Sequence, residues 1–125
     1  MSESEKISVW LDDHCNDGQA EARMTPQGWV GVATPQEVID LLKTNTVARL
    51  SLDNDLGLFD DGSHTPWEGR HVLDWLERAL VDGIVTEAPY IYIHTDNASA
   101  KLYMKKVARR IRDWEWAQRE PKAQE

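Results

Sequence analysis

The chain has only one cysteine, Cys15, and no apolar run that approaches the ~20 residues of a membrane-spanning helix. A single thiol excludes an internal disulfide framework and favours a reducing compartment. The first letters, MSESEK, are polar and acidic, so they do not indicate a secretory signal. These absences predict a cytoplasmic protein without a membrane partner. The length of 125 residues predicts a single domain over 1–125, with a core at about 6–117 and a polar C-terminal tail.

Three motifs of common enzyme classes are also missing. The chain contains no GxxxxGK[ST] phosphate loop, no GxGxxG dinucleotide fingerprint and no GxSxG nucleophile elbow. The sequence therefore disfavours an ATPase, a nicotinamide-dependent enzyme and a serine hydrolase.

Positive charge is scarce before residue 101. Residues 1–100 hold 6 basic and 18 acidic side chains, a net charge of −12, whereas residues 101–125 hold 8 basic and 4 acidic, a net charge of +4. An acidic body repels phosphates, so duplex DNA is not expected as a partner. A row of basic residues on the last helix forms either a solvated helix face or a local binding site for one phosphate-bearing ligand; it consists of Lys101, Lys105, Arg109 and Arg112.

Apolar periodicity predicts strands that alternate with helices. Alternating or continuous apolar residues indicate strands over 6–11, 29–33, 47–52 and 89–93. Capping boxes and 3.6-residue spacing indicate helices over 34–43 and 65–83, and a last helix over 98–117. This order predicts an α/β sandwich with a mostly parallel sheet of about four strands, whose carboxyl ends meet at one edge.

Polar side chains follow three of these strands at that edge. Asp12 and Asp13 end the first strand, Asp53 to Asp55 end the third, and His94 to Asn97 end the fourth. Neighbouring carboxylates repel one another, and a hard divalent cation relieves that repulsion. The sequence therefore predicts a site for Mg²⁺, Mn²⁺ or Ca²⁺.

The same residues also admit structural interpretations. Each acid can be a solvated loop start or a helix cap, above all Asp96 and Asn97, and His94 can be a buried structural histidine. His14 and Cys15 lie beside the acidic pair, but their spacing fits no closed zinc site. Six tryptophans either pack in the core and loops or form a stacking platform for bases.

The strand-end residues resemble those of response-regulator receiver domains. In those domains paired aspartates bind Mg²⁺ beside a phosphorylated aspartate, and a Ser or Thr ends the fourth strand. The resemblance implies that Asp12 and Asp13 are metal-side acids, that Asp53 is the phosphoacceptor-like position and that Thr95 supplies the hydroxyl. It implies a small receiver-like (flavodoxin-like) three-layer sandwich. The fifth strand of a full receiver, with its lysine, is missing from this sequence.

A closer resemblance is to the cyclic-phosphate processing receiver domains, and it covers about residues 7–111. The segments that carry it are LDD at 11–13, R..P.GW at 23–29, SLDNDLG at 51–57, Gly69 with Trp75, and HTDN at 94–97 with Met104. The chain departs from the family pattern by an insertion at 14–22 and by Asn54 in place of a common histidine.

The resemblance implies a metal-dependent phosphoesterase that acts on a cyclic phosphate or on a phosphorylated nucleotide or RNA end. Asp12, Asp13 and Asp53 would hold Mg²⁺ or Mn²⁺, with Asp55 in support. His94 would be the acid or a phosphate ligand, and Asp53 and Thr95 complete the candidate catalytic set. The candidate substrate-binding residues are Arg23, Asn97 and Lys101.

Two other functions fit the same residues. The first is a non-catalytic receiver-like module that sequesters a nucleotide or binds a protein, such as a phage or mobile-element accessory protein. The second is a signalling domain that accepts a phosphoryl group on Asp53. The sequence predicts neither the exact substrate nor the oligomeric state.

Overall fold

The computed structural model describes residues 6–12, 25–54 and 68–119. They form four strands and three helices in alternation. In chain order these are β1 (Ile7–Leu11), β2 (Val30–Val32), α1 (Pro35–Leu42), β3 (Val47–Leu52), α2 (Gly69–Asp82), β4 (Tyr90–Ile93) and α3 (Ala98–Arg119).

The four strands form one sheet in the order β2-β1-β3-β4, and every neighbouring pair is parallel. The last residues of the strands are in register, because Leu11 pairs with both Val32 and Leu52, and Leu52 pairs with Ile93. The carboxyl ends therefore lie along one edge. The expected receiver-like α/β fold with a parallel sheet is confirmed.

The core lies between one face of the sheet and the helices. Leu11, Leu50 and Leu52 are fully buried and belong to one cluster with Leu76 of α2 and Met104 of α3. Helix α2 packs against both α1 and α3. Side chains alternate between the faces of a strand, so Trp10 projects from the other face of the sheet than its buried neighbours on β1.

Helix α1 begins as the sequence predicts. The Thr34 side chain accepts a hydrogen bond from the Glu37 N–H at 3.3 Å, and the Glu37 carboxylate accepts one from the Thr34 N–H at 3.1 Å. This reciprocal capping box satisfies two amides of the first turn, and Pro35 occupies the first helical position.

Helix α2 begins later than the sequence predicts. The expected helix starts at 65, but the observed helix starts at Gly69, with Glu68 as its N-cap. Residues 65–67 lie outside the described residues. The Gly69 N–H donates to the Asn54 carbonyl at 3.0 Å, so a contact with the end of β3 fixes this start. The predicted stop is correct, because Gly83 ends the helix in the left-handed conformation at φ 82°.

The long helix α3 is amphipathic. Its buried residues Met104, Val107 and Ile111 face the core, as the spacing predicts, and charged residues cover much of the remaining surface. None of the helices in the described ranges is long and apolar enough to cross a membrane.

Candidate functional site

The backbone continues the sheet by one residue beyond three strand ends. The Asp12 N–H donates to Val32 O at 3.1 Å, the Asp53 N–H to Leu11 O at 3.0 Å, and the His94 N–H to Leu52 O at 2.9 Å. Asp12, Asp53 and His94 therefore follow β1, β3 and β4, which are consecutive strands of the sheet. Neighbouring strands lie ~4.8 Å apart, so the expected meeting of these residues at one edge is confirmed.

Both carboxylates of this set are withdrawn from solvent. Asp12 is fully buried, and Asp53 is 3% exposed. Carboxylates on neighbouring strands repel each other, and a positive charge or hydrogen-bond donors beside them offset that repulsion.

His94 spans the end of the sheet from β4 to β1. Its Nε2 lies 3.4 Å from Oδ2 of Asp12, and its Nδ1 lies 2.8 Å from Oγ of Ser51. The imidazole also stacks on the indole of Trp10, with the ring centroids 3.9 Å apart and the planes inclined by 6°. Contacts on both nitrogens and on one ring face hold His94 in a single orientation.

Sequence reasoning missed Ser51 and Trp10. Each residue lies two positions before a predicted site acid, Asp53 or Asp12, and therefore projects from the same face of its strand. The register pairs Trp10 with Ser51 directly. Counting back by two from each strand-end aspartate was the signal that could have found them.

Asn54 connects Asp53 to the start of α2. Its side-chain Oδ1 accepts a hydrogen bond from the Arg70 N–H at 3.0 Å, and its carbonyl accepts one from the Gly69 N–H. A Cβ on Gly69 would overlap the carbonyl oxygen of Asp53. Only glycine permits this approach, so the first turn of α2 fixes the backbone that carries the Asp53 carboxylate.

The residues after His94 form the start of α3. The Thr95 hydroxyl, 3% exposed, accepts a hydrogen bond from the Asn97 N–H at 3.2 Å. The Asn97 Oδ1 accepts one from the Ala100 N–H at 3.0 Å, so Asn97 is the N-cap of α3. Lys101 is half-buried in the next turn, and its N–H donates to the Asn97 carbonyl at 2.9 Å. A substrate-binding role for Asn97 and Lys101 stays a prediction.

Three predicted site residues lie outside the described residues, namely Asp13, Arg23 and Asp55, as do His14 and Cys15. Within the described part of the chain, no three His, Cys, Asp or Glu side chains lie close enough together to hold a metal ion. Asp12 and Asp53 nevertheless offer the donors that Mg²⁺ takes from proteins, which are one or two carboxylates completed by water and substrate phosphate. The chemistry of this donor pair fits a hard divalent cation.

An aromatic cluster extends from the site along the face of the sheet that carries Trp10. Trp29 meets the rings of Trp10 and Tyr92 edge to face, with centroids 5.8 and 5.9 Å apart. The Arg49 guanidinium lies 4.6 Å from the centre of the Trp29 ring, and its Nε donates to Ser8 Oγ at 2.8 Å. Trp10 and Trp29 thus pack against the strands and against each other.

A family model for the cyclic-phosphate processing receiver domain matches residues 7–110, which is most of the chain. No curated protein and no solved structure matches the sequence significantly. The matched range begins at β1 and includes β4 and most of α3, and therefore every strand end of the site.

Proposed function

The chain belongs to the cyclic-phosphate processing receiver domains, and on that basis we propose that it is a metal-dependent phosphoesterase that opens a cyclic phosphate on a nucleotide or RNA end. The observation that carries the proposal is the alignment of Asp12, Asp53 and His94 on consecutive strand ends. Two carboxylates and one imidazole in adjacent positions combine cation ligands with a proton donor.

In this proposal Asp12 and Asp53 would hold Mg²⁺ or Mn²⁺, and Asp13 and Asp55 would complete the acidic set. A cation held there would supply positive charge to offset that of the phosphoryl oxygens. Arg23, Thr95, Asn97 and Lys101 bind the oxygens that do not react. We assign these roles from the family to which the chain belongs and from the positions of these residues in its sequence.

We assign His94 as the residue that donates a proton in the reaction. Opening the ring forms one P–O bond to a water oxygen, which loses a proton, and breaks one P–O bond to a ribose oxygen, which gains one. The proton that the water loses restores the donor. The proton donor is the imidazolium, in which the Nδ1–H donates to Ser51 Oγ and Nε2, the nitrogen that faces Asp12, carries the second proton. We assign the proton on Nε2 to the ribose oxygen, while Ser51 fixes the orientation of the ring.

Hydrolysis of a 2′,3′-cyclic nucleotide in the presence of Mn²⁺ tests the activity. We expect the full chain to form the open nucleotide monophosphate, and we expect Asp53→Asn to abolish turnover. Asp40→Asn is the matched control, because Asp40 is an exposed acid on α1, bonded to Gln36 at 2.9 Å. Equal turnover by the chain and by Asp53→Asn would contradict the proposal.

The approach of His94 to Asp12 favours a second candidate function. A protonated imidazole 3.4 Å from the buried carboxylate can compensate its charge without a cation. The chain would then bind a cyclic phosphate without opening it. Calorimetry separates the two candidates, because binding that needs no divalent ion and is followed by no turnover supports the second.

A further inference from the structure

Strand β4 is the last strand of the sheet on its side, within the residues that the structure describes. The His94 N–H points to β3, so by strand alternation the amide of Tyr92 points there too. The N–H and C=O groups of Ile91 and Ile93 therefore point away from the sheet. Such outward groups are a template for a further strand.

A cavity of about 310 Å³ lies beside the start of this edge, between β4 and α3. Pro89, Tyr90 and Ile91 line it from the strand side, and Ile111 and Trp116 line it from α3. Tyr90 is 69% exposed and Trp116 is 62% exposed. A cavity of this size and composition accommodates an apolar side chain of a chain that runs along β4.

The flank of α3 beside this edge is basic. Tyr103 and Arg110 mark the flank that faces α2, because they contact Asp74 and Glu77 at 2.7–2.8 Å. At 100° per residue, the opposite flank carries an exposed basic stripe, which we define as Lys105, Arg109 and Arg112. Arg112 also lines the cavity, so the stripe runs along the open side of β4.

The cavity is lined by one basic and one acidic side chain, Arg112 and Glu115, but the acidic one already accepts a hydrogen bond. Among the described residues that line the cavity, Glu115 is the one acid, and its carboxylate accepts a hydrogen bond from the Ala88 N–H at 2.7 Å. That contact holds Glu115 against the chain just before β4. The basic stripe therefore sets the charge that an incoming strand meets.

We propose that the open edge of β4 binds an extended acidic peptide segment of a partner protein by strand addition. The peptide backbone pairs with Ile91 and Ile93, one apolar side chain enters the cavity, and its carboxylates face the basic stripe. Charge complementarity selects this partner. The chain as a whole has a net charge of −8, so an acidic peptide is repelled elsewhere and attracted at α3.

The same charges disfavour a second copy of this chain at the edge. Antiparallel pairing of β4 with β4 of a copy continues the sheet and brings α3 of both copies to the same face. The two basic stripes then oppose each other across the junction. Like charges in that position weaken the pairing.

Fluorescence polarisation with a labelled peptide of alternating glutamate and valine tests the proposal on the full chain. We expect saturable binding, and no binding of the same peptide with N-methylated alternate amides, which cannot pair with an edge. A peptide of alternating lysine and valine is expected not to bind. Because these arms alter only the peptide, they do not depend on the folding of a protein variant.

Charge reversal in the stripe locates the peptide. Lys105→Glu with Arg112→Glu is expected to weaken binding about tenfold. The control carries the same change in charge elsewhere, Lys43→Glu with Arg78→Glu, at the exposed C-cap of α1 and at an exposed position on α2, and is expected to leave binding unchanged. Circular dichroism checks that both variants fold.

Hydrogen exchange gives an independent readout. Bound peptide is expected to slow exchange of the Ile91 and Ile93 amides, which electrostatic attachment to α3 alone would not do. Absence of binding, binding that survives N-methylation, or exchange at these amides that peptide does not slow would each overturn the proposal. It would also be overturned by sedimentation that shows a dimer in which the Ile91 and Ile93 amides exchange slowly without peptide, because a second copy would then occupy the edge.

Discussion

The imidazole of His94 lies parallel to the indole of Trp10, 3.9 Å away between centroids, although the two residues belong to strands that are not neighbours in the sheet. Both side chains reach across β3. Ser51 of β3 lies between them in the sheet, and its Oγ is 2.8 Å from Nδ1 of the imidazole. The orientation of the proposed proton donor is therefore set by β1 and β3 as well as by β4, which carries it.

Replacing Ser51 by alanine is expected to lower turnover more than it lowers stability. The change removes the hydrogen bond between Ser51 Oγ and His94 Nδ1 and frees the orientation of the ring, and comparable losses of a supporting bond reduce activity by about 10-fold or more. The measurement is kcat for the cyclic nucleotide, together with thermal unfolding. Ser8→Ala is the control, because Ser8 lies on the same face, is similarly buried and bonds Arg49 instead. Equal losses in kcat for the two variants would refute the role of Ser51.

Replacing Gly69 by alanine is expected to destabilise the fold by about 3 kcal/mol, because the new methyl group overlaps the Asp53 carbonyl and must push α2 off the end of β3. Chemical denaturation gives the free energy of unfolding. The matched control is Gly83→Ala at the other end of α2, where φ is 82° but no atom lies within 4 Å of the added methyl. Its cost is the conformational one of about 1 kcal/mol. The prediction fails if Gly69→Ala costs no more than the control.

Asn97 allows its capping role to be separated from its predicted role in the site. Asn97→Ser keeps an N-cap oxygen for the Ala100 N–H and is expected to change stability by less than about 0.5 kcal/mol, whereas Asn97→Ala loses about 1 kcal/mol. If Asn97 also binds a phosphate oxygen, the serine variant has a raised KM at unchanged stability. An unchanged KM in Asn97→Ser would restrict the residue to capping.

The ion pair between Glu77 of α2 and Arg110 of α3 is expected to weaken in acid. Two hydrogen bonds from the Arg110 guanidinium, at 2.7 and 2.8 Å, hold the pKa of the Glu77 carboxyl below its usual 4.5. A lowered pKa in the folded state stabilises the fold above about pH 4.5, and this contribution disappears as pH falls through the folded pKa. The effect is small, because Arg110 is exposed and Glu77 only half-buried, so that solvent and salt screen the pair.

The variant Glu77→Gln tests this pH dependence. Its unfolding temperature is expected to lie slightly below that of the unaltered chain at pH 7, and this difference is expected to shrink as the pH is lowered to 3. Gln36→Glu, a change of the opposite sign at an exposed position of α1, serves as a control for general charge effects. A deficit in Glu77→Gln that is larger at pH 3 than at pH 7 would reverse the assigned sign.

The strand ends were predictable because they depend on local rules. Apolar alternation that stops at Asp12 or Asp53 marks the end of a strand, and parallel pairing then brings those ends together. The capping box of Thr34 and Glu37 is likewise contained in four consecutive residues. In these cases the interactions that decide the structure are close in sequence.

The start of α2 and the contacts of His94 were not predictable in the same way. The helix begins at Gly69 because that residue reaches the chain at Asp53 and Asn54, a contact between separate segments that no local pattern contains. The strand register could place Ser51 and Trp10 beside the site, but the imidazole orientation depends on side-chain packing across three strands. Tertiary contacts decided both features.

The exclusively parallel sheet has a consequence for how the site forms. No two neighbouring strands are joined by a hairpin, so each pairing must wait for a crossover connection to close. Asp12, Asp53 and His94 therefore become neighbours only after loops of some forty residues have been closed, and a chain rich in such distant pairings folds slowly. A partly assembled chain has no version of this site, and ligand binding at the strand ends would report the completion of folding.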